Sequence, residues 1–198
     1  MARGRTLTVA AFVSAAIGVA VTADVARPAA RLATDRVALG DEHTCVIKDD
    51  GTVWCFGGNS DGQLGNSLFL SSDSTTPVQI AGFGAGRTAV KIAAGERHTC
   101  ALLDNGTVWC WGAGGSNELA NGGVQSFNPV QVPLGSGITA TDLFVGGRVS
   151  CALTSDSRLT CWGQNHMGQI GNGTTEVNGG VAPTAVSNIP TSFGVVLG

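Results

Sequence analysis

The chain has 198 residues, and its hydrophobic content of 43% is sufficient for the core of an ordinary domain. Only 13% of the residues are charged and 30 are glycine, which argues against long surface helices and favours an all-β chain rich in tight turns. The net charge is -3 and no Lys/Arg cluster follows the first few residues, so we expect no nucleic-acid partner.

The N-terminal segment has the pattern of an export signal. Arg3 and Arg5 form a short basic region, and residues 7–21 are almost wholly apolar. Val21 and Ala23 then occupy the −3 and −1 positions of a signal-peptidase site. The apolar run is shorter than the roughly 20 residues that a membrane span needs.

We therefore predict a signal peptide over residues 1–23, cleaved after Ala23, and a linker over residues 24–36. An uncleaved N-terminal anchor is the alternative. In both cases the rest of the chain is exported, so the predicted location is secreted, periplasmic or cell-surface. No membrane span is expected after removal of the signal.

Three copies of a cysteine-flanked hairpin motif follow the linker. Each copy has a cysteine, a second cysteine ten residues later, and then an aromatic residue and a glycine. The copies run from Cys45 to Gly57, 100 to 112 and 151 to 163. A repeat of about 50 residues that contains strand hairpins is typical of a propeller blade or a solenoid unit.

The turn between the two cysteines sets the predicted strand register. In the first copy it is Asp49-Asp50-Gly51, which is strong hairpin chemistry because glycine tolerates the positive φ of such turns. A three-residue loop places the two cysteines opposite each other, whereas a two-residue loop would misalign them. The facing pairs predicted for the three-residue loop are Ile47 with Val53, Val46 with Trp54 and Cys45 with Cys55.

In an exported protein, six regularly spaced cysteines favour disulfides. The alternatives are free buried thiols and a zinc site that uses His43 and His98, which precede a cysteine by two residues. Zinc needs four convergent ligands and the third copy has Val149 in place of histidine, so we expect a recurring structural hydrogen bond at these histidines. No metal is predicted, and the predicted bridges are Cys45–Cys55, Cys100–Cys110 and Cys151–Cys161.

The sequence offers no catalytic residue. Acids such as Asp49, Asp50 and Asp104 lie in predicted turns, where hydrogen bonding explains them. No Gly-x-Ser-x-Gly elbow occurs, and the glycine run at 82–86 is not followed by a Lys-Ser/Thr pair. We predict a protein that is not an enzyme and has no cofactor.

The sequence around the hairpins resembles a known repeat. The first copy reads Gly-x-x-His-Thr-Cys at 40–45, Asp-Gly-x-Val-Trp-Cys-x-Gly at 50–57 and Asn-x-x-Gly-Gln-Leu-Gly at 59–65. These motifs resemble the repeat of the regulator of chromosome condensation family over residues 37–198. The resemblance implies seven-bladed β-propellers, and relatives include exchange factors for the GTPase Ran, parts of ubiquitin ligases and a secreted bacterial β-lactamase inhibitor. Paired cysteines are not part of the general repeat and suit an exported branch.

The expected fold is all-β, with propeller blades of four antiparallel strands. The blades are placed at 37–91, 92–142 and 143–194, and residues 195–198 repeat the opening of the first copy as the start of a fourth. A closed propeller needs at least about four blades, so we interpret the chain as a fragment of a longer propeller. The alternatives are an open stack of three blades and a ring closed by self-association.

Recognition in propellers concentrates on variable loops, so the least repetitive segments are the candidate binding sites. These segments are 66–76 and 114–128. Large apolar side chains on a rigid scaffold are typical of protein-binding hot spots. The alternative is that the two phenylalanines pack between blades. The four candidate residues are Leu68, Phe69, Leu70 and Phe127.

The sequence therefore predicts an exported, non-enzymatic propeller that presents loops to a protein or cell-surface ligand. One alternative, suggested by the family resemblance, is a guanine-nucleotide exchange factor for a small GTPase. An exported chain, however, could not reach a cytoplasmic GTPase. The other is an envelope- or carbohydrate-binding module.

Overall fold

The computed structural model describes residues 35–176 and 179–189, with every side chain in these ranges except that of Phe69. These residues belong to one compact unit that spans 33–198. The predicted signal peptide at 1–23 and the predicted repeat start at 195–198 lie outside the described residues. Within the described ranges, no helix is long and apolar enough to cross a membrane.

Twelve strands in this part of the chain form three separate four-stranded antiparallel sheets. In each sheet the strands follow one another in chain order, so each sheet is a meander. The predicted all-β fold with blades of four antiparallel strands is confirmed. The strands of the three blades are β1 Val37–Leu39, β2 His43–Ile47, β3 Val53–Gly57 and β4 Ser74–Gln79; β5 Ala89–Ala94, β6 His98–Leu103, β7 Val108–Gly112 and β8 Ser126–Gln131; and β9 Ala140–Gly146, β10 Val149–Thr154, β11 Leu159–Gly163 and β12 Val181–Ala185.

The hairpin register is the one that a three-residue turn predicts. Gly51 has φ +78°, and the Lys48 amide donates to the Thr52 carbonyl at 2.9 Å to close the turn. Cys45 then lies directly opposite Cys55, with Val46 opposite Trp54 and Ile47 opposite Val53. The other two blades repeat this register, so each copy places its two cysteines face to face.

All six cysteines are paired, with sulfur–sulfur distances of 2.09–2.12 Å. The pairs are Cys45–Cys55, Cys100–Cys110 and Cys151–Cys161, as predicted. On the chain-entropy model, a bridge that closes so small a loop stabilises the fold by about 2–3 kcal/mol. The bridges hold together hairpins that would be only marginally stable alone.

The hydrophobic core lies between the sheets. The first cluster joins blade 1 to blade 2 and includes Ile47, Leu64 and Trp111. The second joins blade 2 to blade 3 and includes Leu102 and Trp162. Strand β6 of the middle blade is buried at every position, because it has a blade on each side, whereas β2 and β10 alternate between buried and half-buried residues. The sheets therefore pack face to face in chain order, like consecutive blades of a propeller.

The fourth strand of each blade contains a proline. The strands begin at Ser74, Ser126 and Val181, and the prolines at 77, 129 and 183 lie within them. Each fourth strand lies at the edge of its sheet, and in blade 1 its register shifts between Cys55 and Gly57. A proline is tolerated there because an edge strand has a side that makes no ladder hydrogen bonds.

Candidate protein-binding rim

Two buried histidines link consecutive blades by hydrogen bonds. His43 Nε2 lies 2.7 Å from Thr99 Oγ1, and His98 Nε2 lies 2.9 Å from Ser150 Oγ. Thr99 and Ser150 occupy equivalent positions in blades 2 and 3, so each histidine bonds to the same hydroxyl position of the next blade. The predicted recurring structural hydrogen bond is confirmed, and its repetition explains why both copies carry His-Thr-Cys.

Burial keeps both imidazoles neutral. It lowers the pKa of His43 to about 4, although Asp41 acts in the opposite direction. Burial, and to a smaller extent the nearby His43, lowers the pKa of His98 to about 3. A neutral imidazole can donate or accept at Nε2, so the bond to a hydroxyl suits it. Across residues 35–176 and 179–189 no three His, Cys, Asp or Glu side chains lie close enough together to hold a metal ion.

Space for the histidine rings comes from two glycines. A Cβ atom added to Gly40 would lie 2.4 Å from His43 Nδ1, and one added to Gly95 would lie 2.4 Å from His98 Cε1. The third copy has Val149 instead of histidine, and a Cβ atom on the equivalent Gly146 would meet nothing within 4 Å. The glycines are thus needed where the ring is present.

Replacement of Gly95 by alanine should therefore destabilise the fold by about 1–3 kcal/mol, because the new methyl group would also lie 2.4 Å from the Gly147 carbonyl oxygen of the next blade. Gly146→Ala is the matched control and should change the free energy of unfolding little. Urea denaturation of both variants measures the difference. Equal losses in the two variants would contradict this account.

Two buried tryptophans fix the loops that join the third and fourth strands. Trp111 Nε1 donates to the Gln63 carbonyl of blade 1, and Trp162 Nε1 donates to the Glu118 carbonyl of blade 2, both at 2.8 Å. Both tryptophans are fully buried and belong to the core. Phe56, at the equivalent position of blade 1, has no N–H group and is half-buried. We call loops 58–73 and 113–125 the rim loops.

The first rim loop is held rigidly. Asn59 Oδ1 accepts from the Leu64 amide at 3.0 Å, and the Asn59 amide donates to Asp73 at 2.9 Å. The third blade repeats the first of these bonds with Asn165 and Ile170 at 3.0 Å. The Asn-x-x-Gly-Gln-Leu-Gly motif is therefore a folded loop with its own hydrogen bonds rather than a flexible connection.

Leu68 and Leu70 lie on this rigid loop and point to solvent. Leu68 belongs to a 3-10 helix, Ser67–Phe69, whose N-cap residue Asn66 accepts from the Leu68 amide at 3.0 Å. The Ser67 amide donates to Asn128 Oδ1 at 3.3 Å, which ties the helix to blade 2. Leu68 is 87% exposed and Leu70 is 64% exposed.

The two phenylalanines among the candidate binding residues, Phe69 and Phe127, differ in what the structure describes of them. The side chain of Phe69 lies outside the described part of the structure. Phe127 is half-buried in β8, and a Cβ atom on Gly62 would lie 2.9 Å from its ring. Phe127 therefore packs between blade 2 and the rim loop of blade 1, and because it is still partly exposed, its contact with a ligand stays a prediction.

Two ion pairs on the rim were not singled out from the sequence. Arg97 lies 3.3 Å from Asp61 and Arg148 lies 2.9 Å from Glu96, so each pair joins neighbouring blades. All four side chains are partly exposed, and such pairs contribute at most about 1 kcal/mol each. Arg97 and Arg148 occupy equivalent positions in their copies, and this recurrence in the sequence could have revealed the ion pairs.

Comparison with known proteins gives the family. Two models described as "Regulator of chromosome condensation (RCC1) repeat" match the chain, one at residues 50–102 and the other at 35–63, 89–118 and 140–169. Together these matches cover more than half of the chain, including all three hairpins. The chain belongs to the RCC1 repeat family.

Relatives of this RCC1-repeat chain include the human E3 ubiquitin-protein ligase HERC2, 32% identical over 137 residues, which are 69% of this chain and 3% of HERC2. The human X-linked retinitis pigmentosa GTPase regulator is 33% identical over 138 residues, 68% of this chain and 13% of that protein. The Arabidopsis thaliana ultraviolet-B receptor UVR8 is 30% identical over 138 residues, 69% of this chain and 31% of the receptor. The chain spans less than a third of each of these relatives.

Solved structures agree on the fold. Human WBSCR16 superposes with a TM-score of 0.66 at 25% identity, over 77% of this chain and 39% of that one. Yeast RCC1 (Prp20), in a complex with Kap60, superposes with a TM-score of 0.61 at 24% identity, over 79% of this chain and 38% of that one. The three sheets are therefore RCC1-type propeller blades.

Proposed function

We propose that this chain is an exported, non-enzymatic propeller segment that binds a protein or cell-surface ligand through its rim. The observation that carries the proposal is the capped 3-10 turn that holds Leu68 and Leu70 in solvent. Export is supported by the signal-like pattern at 1–23 and by the three cysteine pairs, since disulfides persist in oxidising compartments.

The rigidity of the turn makes it suited to binding. An exposed leucine is ordinary on a protein surface, but these two lie on a loop that is hydrogen-bonded at Asn59 and tied to blade 2 through Ser67. A preformed apolar surface loses little conformational entropy on binding, so more of the burial energy contributes to affinity. Complete burial of one leucine side chain contributes about 1.5–3 kcal/mol.

The family alone does not assign this function. Its relatives here include ubiquitin-protein ligases, a GTPase regulator and a light receptor, so one repeat serves several roles. Yeast RCC1 is bound to a protein, Kap60, in its solved complex, and that likeness supports the fold of this chain only. A protein partner for this chain is thus proposed from its own rim.

The double variant Leu68→Ser/Leu70→Ser should lose the partner without loss of stability. We expect cross-linked partner recovered from the host's extracellular or envelope fraction to fall by about tenfold or more, equivalent to about 1.4 kcal/mol. The urea midpoint should be unchanged because both side chains are exposed. Cross-linking mass spectrometry of wild type and variant is the measurement.

Met167→Ser is the matched control, because Met167 is 78% exposed on the corresponding loop of blade 3. It should leave recovery unchanged. Equal recovery for all three proteins would overturn the rim proposal. GDP release from a small GTPase would instead support the exchange-factor alternative, and retention on a glycan array would support the carbohydrate-binding alternative.

A further inference from the structure

A polar cleft of about 340 Å³ lies beside the rim loops, where groups from all three blades meet. The first rim loop contributes to one wall, the turn between β5 and β6 to another, and loop 113–125 and the turn before β10 to the rest. The charged residues that line the cleft are Asp61, Glu96, Arg97, Glu118 and Arg148.

The charges in this cleft do not balance. Arg97 pairs with Asp61, and Arg148 pairs with Glu96. His98 also lines the cleft, but burial lowers its pKa to about 3, so the imidazole is uncharged at neutral pH. Arg148 also attracts Glu118 electrostatically, but three carboxylates face only two guanidinium groups, so the cleft keeps one excess negative charge, and a ligand with a single positive charge would complement it.

Glu118 is buried, with 3% exposure, although it lies on the wall of the cleft. Its Oε2 accepts from the Ser116 amide at 2.7 Å, and its backbone carbonyl accepts from Trp162. No other hydrogen bond to its carboxylate comes from the side chains and amides that the structure describes. One carboxylate oxygen therefore has a donor and the other, Oε1, is left for a ligand.

The structural role of Glu118 does not require a charge. Gln63 stands at the equivalent position of blade 1, and its Oε1 accepts from the Asp61 amide at 2.9 Å. Gln169 of blade 3 accepts from the Met167 amide in the same way at 2.8 Å. A neutral amide thus makes the same loop hydrogen bond in both neighbouring blades. A buried carboxylate carries a larger desolvation cost than an amide, although among the described residues the Gln63 amide leaves its own Nε2 buried without a hydrogen-bond partner. The loop hydrogen bond alone therefore does not explain why blade 2 has a charged group here.

The geometry also distinguishes between two kinds of cation. A guanidinium group binds best in a fork that uses both oxygens of a carboxylate, and the Ser116 amide already takes one of the acceptor positions of Glu118 Oε2. An ammonium group is a compact point charge and can be satisfied by one oxygen. We propose that this cleft binds a lysine ammonium group of the protein partner, with Glu118 as its counter-charge. This inference rests on the proposed function only in taking the ligand to be a protein.

The test uses the full ¹⁵N-labelled chain and n-butylammonium as a probe of the lysine side chain. Saturable shifts are expected at the Ser116 amide and at the Trp162 indole N–H, the two groups that bond to Glu118. In Glu118→Gln the affinity should fall by about tenfold or more. This variant should fold, because glutamine makes the same bond at Gln63 and Gln169. Arg148→Gln should strengthen binding, since it removes a competing cation from the cleft.

Several outcomes would overturn the proposal. Equal affinity in wild type and Glu118→Gln would show that the carboxylate is not the counter-charge. Equal shifts with neutral n-butanol, or shifts with acetate at the same groups, would show that positive charge is not what is recognised. Tighter binding of methylguanidinium would overturn the assignment to lysine. Leu68→Ser/Leu70→Ser should leave this titration unchanged, so failure of the cleft and failure of the apolar rim are distinguishable.

Discussion

Replacement of Trp111 by alanine is expected to lower the free energy of unfolding by about 4–5 kcal/mol. The side chain is fully buried in the cluster that joins blades 1 and 2, and truncation of such a side chain typically costs about 3–5 kcal/mol. The variant also leaves the Gln63 carbonyl, which Trp111 Nε1 binds at 2.8 Å, without its donor, so the loss should lie in the upper part of that range. Equilibrium urea denaturation measures the loss.

Two further variants separate the contributions. Trp111→Phe keeps an aromatic ring but removes the N–H group, as Phe56 does in blade 1, so it should cost about 1–3 kcal/mol. Trp109 lies two residues earlier on the same face of β7 and is half-buried against the same cluster, so Trp109→Ala should cost less than Trp111→Ala. If Trp109→Ala were the more damaging variant, the depth of burial between the blades would not determine the loss.

The hairpins were predictable because their structure is determined locally. The turn Asp49-Asp50-Gly51 fixes the register, and the register places Cys45 opposite Cys55. No contact with another blade is needed for either step. Repetition then strengthened the prediction, since the same pairing had to hold in all three copies.

Contacts between blades were less accessible to sequence reasoning. The histidine bond was expected because His43 and His98 recur, but its partners, Thr99 and Ser150, belong to other repeats and are far away in the chain. The position of Phe127 against Gly62 depends on how two blades pack, so the sequence left packing and ligand binding as equal alternatives.

The charged cleft was missed for a different reason. Glu118 occupies a position where the neighbouring copies have glutamine, and a single substitution in a drifted copy carries little weight when motifs are compared. Its importance comes from three features together: burial, one unoccupied oxygen, and neighbouring arginines that are already paired with Asp61 and Glu96. Only the folded chain brings these features to one place.

Acidification below pH 6.5 should destabilise the fold through His43 and His98. In the unfolded chain both histidines take up a proton near the ordinary pKa of 6.5, whereas in the folded chain burial lowers the pKa to about 4 and about 3. Between these limits the unfolded state binds more protons, so stability falls as the pH falls. Above pH 6.5 this contribution is constant. Within the window each histidine lowers the free energy of unfolding by up to about 1.4 kcal/mol per pH unit, and the two together by up to about 2.7.

The slope can be assigned to these two residues by substitution. His43→Gln/His98→Gln should be less stable than wild type at pH 7, because it loses the bonds to Thr99 and Ser150, but its stability should change much less between pH 6.5 and 4. Asp50 and Asp156 act mainly below this window, since hydrogen bonds from Thr52 and Thr154 lower their pKa values in the folded chain and their contribution to stability is lost as the pH falls below about 3.8. Urea denaturation at several pH values gives both slopes. If stability fell equally steeply with pH in wild type and in the double variant, the histidines would take up protons without disturbing the contact between blades. The description of a hydrogen bond between a neutral imidazole and a hydroxyl would then be wrong.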